Sequence, residues 1–286
     1  THYNFKSIFA WNIYLYTGFF VIVAAYLWFM MDRRMERYYK PAGIFAFVWR
    51  LILTTGTGSI FGFIVARQGY DAAIMAPMFV IMSFAYGLAI YILVLMFVVQ
   101  ADGREIGDKV LFRLKNLLGV FAAAVLYFTI VYHLTNLYAT ENHEYESFIL
   151  LNGGVYTWLF WLGWVFAGCL LPIGLVYHPA IGKTRGGIIA AAVSVILGGL
   201  ATIYVIVIGG QAFPVAMFPG KTIISSGYFD GVNGAPLLYS PSLPEFLLGI
   251  GGIALMLLLT FVAIRVLKFL PVSLADEAVD PHHAKS

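Results

Sequence analysis

Charge is what this sequence has least of. Only 11% of its 286 residues are Asp, Glu, Lys or Arg, against about a quarter in a soluble domain. Hydrophobic residues make up 61%, and mean hydropathy is +0.87. That balance argues against a water-soluble fold. A single cysteine, Cys169, lies inside an apolar run, so this chain can hold no iron–sulfur cluster, no CxxCH-attached haem and no internal disulfide. Histidines are also scarce. Two b haems need four axial ligands, normally histidines paired across helices. Only His133 sits well inside an apolar run; His2, His143, His178, His282 and His283 are terminal, in loops or at helix ends. A dihaem cytochrome is disfavoured, and a single haem would lack an obvious second ligand. Nothing in the sequence points to a nucleic-acid partner.

What the chain has instead is long apolar runs. Seven stretches reach the roughly 20 residues needed to cross a bilayer core: 8–31, 43–66, 73–99, 116–138, 147–177, 187–210 and 245–270. The sequence therefore predicts an all-α, polytopic transmembrane helix bundle with the lipid bilayer as its surroundings. It divides into a membrane domain over 1–271, with a cap loop at 212–244, and a tail over 272–286. Positive charge gathers after alternate runs. Arg33, Arg34, Arg37 and Lys40 follow the first, Arg104, Lys109, Arg113 and Lys115 the third, and Lys183 and Arg185 the fifth. Arg265 and Lys268 close the last. The other loops hold only Lys6, Arg67 and Lys221, and "ATENHEYES" is acidic. The positive-inside rule then places the N-terminus outside and the tail in the cytoplasm.

Small residues mark where helices approach. Thr54 with Gly58 and Thr55 with Ser59, in "TTGTGS", are four apart, and Gly153, Gly154, Gly163 and Gly168 punctuate the fifth run. These read as packing positions.

Polar groups inside the runs are few, and each is a candidate for a role. Arg50, in "FVWRLIL", lies about two turns into the second run and can snorkel to the interface. His133, in "VYHLTNLY", stands near the outer end of the fourth, with Asn136 three residues on along the same face. A lone intramembrane histidine reads either as an interhelical hydrogen bonder or as part of a site. His178, before Pro179, marks a helix end. The segment 212–249, "AFPVAMFPGKTIISSGYFDGVNGAPLLYSPSLPEFLLG", is rich in proline and aromatics and carries one lysine. It delivers Glu245 to the first turn of the last helix. An acid there complements the helix dipole. Beside an aromatic loop it is also a candidate to take up protons, with His133 as a second acceptor because imidazole titrates near neutral pH.

The stretches "RLILTTGTGS", "ARQGYDAAIMAPMFVIMSFAYGLAIYILV", "LNGGVYTWLFWLGW", "GGQAFPVAMFPG" and "YSPSLPEFLLGIGG", with the closing "RVLKFLP", resemble the NrfD/PsrC family. Its members are quinone-reactive membrane subunits of polysulphide-reductase-like complexes. Among the branches the chain most resembles the DsrP type, from the membrane complex of dissimilatory sulfur metabolism, over about residues 8 to 271. The resemblance implies a haem-free multi-pass subunit of a bacterial or archaeal cytoplasmic membrane that oxidises or reduces menaquinone or ubiquinone near the outer face. Electrons would pass to or from a ferredoxin-like iron–sulfur partner, with other subunits such as a multihaem cytochrome in the same complex. It places a glutamate like Glu245, and the loop before it, close to the quinone head group. It also implies more helices than the runs counted here, with "FAWNIYLYTGFF" resembling an inner helix of the family.

On this reading Glu245 and His133 handle protons, and Tyr228, Asp230 and Tyr239 shape the head-group pocket together with Asn136. Trp11 and Asn12, at the outer end of the first run, are further candidates. The rival readings are a non-catalytic membrane anchor for an iron–sulfur subunit and an ion-translocating subunit.

Overall fold

The computed structural model describes residues 4–101, 103–214, 240–267 and 273–279. Among them the architecture is all α, the one departure being an isolated bridge between Ile106 and Leu274. Seven helices are long and apolar enough to span a membrane: α1 (Ile8–Met31), α2 (Tyr39–Gly62), α3 (Met75–Ala101), α4 (Asp108–Tyr138), α6 (Val155–Tyr177), α7 (Arg185–Ala212) and α8 (Leu243–Leu267). Two short helices complete the set, α5 (His143–Ser147) and α9 (Asp276–Val279).

Four of the spans close into a ring. α3 packs on α4 and α7, and α6 packs on α4 and α7. Their facing sides supply the core: Met78, Met82, Ala85 and Ile92 from α3, Leu118 and Val125 from α4, Phe160 and Trp164 from α6, and Ala191 and Val195 from α7. α2 lies against α3, and α1 lies against α2. Of α1, only Asn12 is buried. The outward apolar side chains of these helices are the surface a bilayer solvates.

Glycines set the closest approaches. A Cβ at Gly198 of α7 would collide with the backbone of Gly168 on α6, and one at Gly163 would collide with Ala201. A Cβ on Gly58 would lie 2.7 Å from the Met75 carbonyl oxygen. Gly163, Gly168 and Gly58 are thus packing residues, as small-residue spacing predicts.

The two ends of the ring differ. At the basic end, Lys115 is buried and donates from Nζ to Val176 O (3.1 Å) and Gly182 O (2.6 Å). A cation there meets the unsatisfied carbonyls at the C-terminus of α6. This is why α4 begins at Asp108 rather than near 116: its charged first turns are held by neighbours. The Lys109 amide donates to Asp276 Oδ1 at 3.0 Å, and Leu274 exchanges backbone bonds with Glu105 and Gly107. At the opposite end, Arg67 donates to Gly210 O, Gln211 O and Phe213 O, and the Tyr70 hydroxyl reaches Ile206 O and Val207 O. The turn between α2 and α3 therefore caps the end of α7.

The fifth apolar run is not one helix. It breaks at Gly153–Gly154, where Gly154 takes φ 57° and ψ −112°, a conformation open to glycine and strained for other residues. The Thr157 hydroxyl bridges the break, accepting from the Gly153 amide (2.9 Å) and donating to Phe148 O (3.1 Å). Gly153 and Gly154 thus form a corner rather than a helix-packing surface. Before the corner, residues 143–152 fold back toward α4.

Candidate functional site

His133 and Asn136 share one face of α4 near the end of the ring that Arg67 and Tyr70 close. The returning chain brings Glu146 onto that face. Its carboxyl group is 0% exposed. Oε2 lies 2.7 Å from His133 Nδ1, and Oε1 accepts from Asn136 Nδ2 at 2.9 Å. A buried carboxylate is tolerable only when paired and hydrogen-bonded, and here both oxygens have partners.

Aromatic rings enclose the imidazole. Tyr132, Phe160 and Trp164 meet it edge to face, with centroids 4.9, 4.7 and 6.0 Å away. Phe160 and Trp164 come from a stretch of α6, Leu159–Leu170, that widens to π-helical bonding. Such stretches are rare and gather at functional sites. The Tyr132 hydroxyl donates to Gly69 O at 2.8 Å, and a Cβ on Gly69 would lie 2.5 Å from the Tyr145 ring. This ties the α2–α3 turn to the same cluster. Burial pushes the Tyr145 phenol well above its ordinary value, and nearby Tyr132, Glu146 and Tyr70 add to the shift. Burial likewise raises Tyr70, against a hydrogen bond from Gln211.

Two polar atoms in this enclosure lack any partner among the described residues: His133 Nε2 and Trp164 Nε1, both buried. One is a ring nitrogen able to accept and the other can only donate.

The remaining sequence candidates fall elsewhere. Asn12 uses Nδ2 on Ile8 O and Gly56 O, both at 3.1 Å, while Oδ1 accepts from Thr57 at 3.3 Å. These contacts clamp α1 to α2. Trp11 donates to Phe5 O at 2.8 Å and is half exposed. Glu245 accepts at Oε2 from the amide (2.7 Å) and hydroxyl (2.9 Å) of Ser242. That is the reach-back half of a capping box at the start of α8. Tyr228, Asp230 and Tyr239 lie outside the described residues. Arg50 sits over the ring of Phe19 at 5.4 Å, and the His178 ring accepts from the Ala180 and Ile181 amides. Sequence reasoning missed Glu146. The available signal was its position next to the apolar run that starts at Phe148, obscured by Glu141 and Glu144 in the same loop.

The sequence comparisons bear directly on this arrangement. Residues 1–216, which include all four helices of the ring and the His133–Glu146 pair, match the family model described as polysulphide reductase, NrfD. The chain belongs to the NrfD family. As an NrfD protein it is 30% identical over 289 residues to the Hdr-like menaquinol oxidoreductase integral membrane subunit of Archaeoglobus fulgidus, across 98% of this chain and 70% of that one. It is 24% identical over 324 residues to a selenate reductase subunit of Mesobacillus selenatarsenatis, across 98% of this chain and 71% of that one. Seven apolar helices and an integral membrane relative make this NrfD protein a multi-pass protein of a bacterial or archaeal membrane.

Proposed function

We propose that this NrfD protein is the quinone/quinol-reactive membrane subunit of a respiratory electron-transfer complex. The observation that carries the reading is the buried His133–Glu146–Asn136 cluster, found in a chain similar to a menaquinol oxidoreductase subunit. Quinol chemistry moves protons together with electrons, and a hydrogen-bonded imidazole–carboxylate pair inside a membrane bundle suits the proton half of that exchange.

The residues present fit such a carrier. His133 Nε2 and Trp164 Nε1 are a buried acceptor and donor without partners among the described residues. A separate apolar groove of about 440 Å³ between α3 and α8, lined by residues including Val94, Phe97, Leu257 and Phe261, lies toward the basic end, at the far end of α3 from this cluster, and forms no part of the head-group site. When bound, a menaquinone or ubiquinone would supply two-electron, two-proton redox chemistry. Glu245 and His133 would hold and move protons. Asn136, Trp11, Asn12, Tyr228, Asp230 and Tyr239 are the head-group candidates. A ferredoxin-like iron–sulfur partner on the periplasmic face would exchange the electrons, in a complex acting on sulfur compounds. The orientation follows the charge bias of the loops.

The purified complex in lipid, tested with a quinone analogue and with Glu245→Gln, decides the matter. Analogue binding with depressed quinol-linked turnover in the variant is expected. Absence of analogue binding would replace this reading with that of a membrane anchor, and full turnover in Glu245→Gln would remove Glu245 from proton transfer.

A further inference from the structure

Glu146 is the most completely enclosed charged residue in the described structure, at 0% exposure. Its contact with His133 fixes more than position. A 2.7 Å separation between Oε2 and Nδ1 is a hydrogen bond that needs one proton between the two atoms. With the proton on nitrogen and the ring neutral, Nδ1 is the protonated nitrogen and Nε2 keeps its lone pair. Nε2 is also the atom that lies buried without a partner among the described residues, in the same aromatic enclosure as the unpartnered Trp164 Nε1. An N–H donor there orients an oxygen; it cannot take up a proton. A hydroxyl suits either atom: it offers its hydrogen to Nε2, or its oxygen accepts from the indole. Water and a quinol hydroxyl share that chemistry.

We propose that Glu146 is the positioning and proton-receiving residue for His133, making the pair a one-proton store inside the four-helix ring. This rests on the quinol reading above. The donor's O–H bond breaks, leaving its electron pair on oxygen, as the Nε2–H bond forms; the Nδ1–H bond breaks as an Oε2–H bond forms on Glu146. No electron moves. The net charge of the pair changes from −1 to 0, and the negative charge passes to the donor's oxygen. Asn136 serves both states, because its N–H needs only a lone pair on Oε1. The other titratable groups around the pair are the phenols of Tyr132 on α4, Tyr145 on α5 and Tyr70 in the α2–α3 turn. α6 contributes Phe160 and Trp164, which do not titrate.

Infrared difference spectroscopy of the intact complex, triggered by a pH jump rather than by quinol, tests the store separately from quinone chemistry. Isotope-labelled glutamate identifies carboxyl bands. The wild type is expected to show a protonated-carboxyl C=O band that rises with proton uptake and shifts in heavy water. Glu146→Gln should abolish it and lower quinol-linked turnover about a hundredfold, while Glu146→Asp should restore the band at a shifted frequency. Should Glu146→Gln not assemble, the shift in Glu146→Asp carries the assignment. A band unchanged in Glu146→Asp or Glu146→Gln would overturn it. Repeating the pH jump with a bound quinone analogue asks whether the store opens into the head-group site: a suppressed band supports a shared site, and an unchanged band overturns the quinol hydroxyl as the donor. Quinone-analogue binding to the wild type is measured apart, so a failed quinone reading and a failed Glu146 assignment give different results.

Discussion

His133 and Glu146, thirteen residues apart in the chain, meet at 2.7 Å with both side chains enclosed. Removing one partner strands the other. Glu146→Ala is expected to destabilise the bundle by about 3–5 kcal/mol. Glu146→Gln, which keeps an acceptor for Asn136 and an amide for the ring, should cost clearly less. Thermal unfolding of the purified complex in detergent gives the order; equal losses in the two variants would mean that the carboxylate's own hydrogen bonds contribute little.

The start of α8 allows capping to be separated from proton transfer. Ser242→Ala removes the hydroxyl that bonds Glu245 Oε2 but leaves the carboxylate. It should weaken the helix start by about 0.5–2 kcal/mol and spare quinol turnover. Glu245→Gln should do the reverse. Hydrogen exchange at residues 243–248 reports the first effect and a quinol assay the second.

Arg67 caps α7 by donating to three carbonyl oxygens from one nitrogen. Arg67→Ala should cost about 1.5–3 kcal/mol, the range for hydrogen bonds to charged groups. Hydrogen exchange should rise at residues 206–213 and leave the basic end unchanged. Protection unaltered at 206–213 would show that Tyr70 alone suffices.

Alkaline pH should loosen the same end. Unfolded phenols ionise near 10.0, while burial keeps Tyr70 and Tyr145 protonated to higher pH in the fold. Above that value the unfolded chain binds fewer protons than the folded one, so stability falls as pH rises. Below it, these two groups add no pH dependence. Double substitution to Phe should flatten the fall in melting temperature above about pH 10; an unchanged slope would assign it to other groups.

The hydropathy of the runs reveals the spans because a bilayer rewards uninterrupted apolar length, and α1 matches its expected bounds from Ile8 to Met31. His133 and Asn136 stand out as polar residues in apolar surroundings. Glu146 does not, because its burial depends on a change of direction several residues later, and residue composition carries no sign of direction. Lys115 is hidden for a similar reason. Its place among loop cations looks like topology, yet its partners, Val176 and Gly182, lie on another helix and the turn that follows it.

The corner at Gly154 sets the chemistry of residues it never touches. A Cβ there would meet nothing within 4 Å, so the position is restricted by its φ of 57° rather than by space. Any side chain there would strain the turn from which residues 143–152 return to α4, and with it the contact between the acid and the imidazole. A residue with no functional group of its own thereby controls whether this membrane protein holds a carboxylate in its interior.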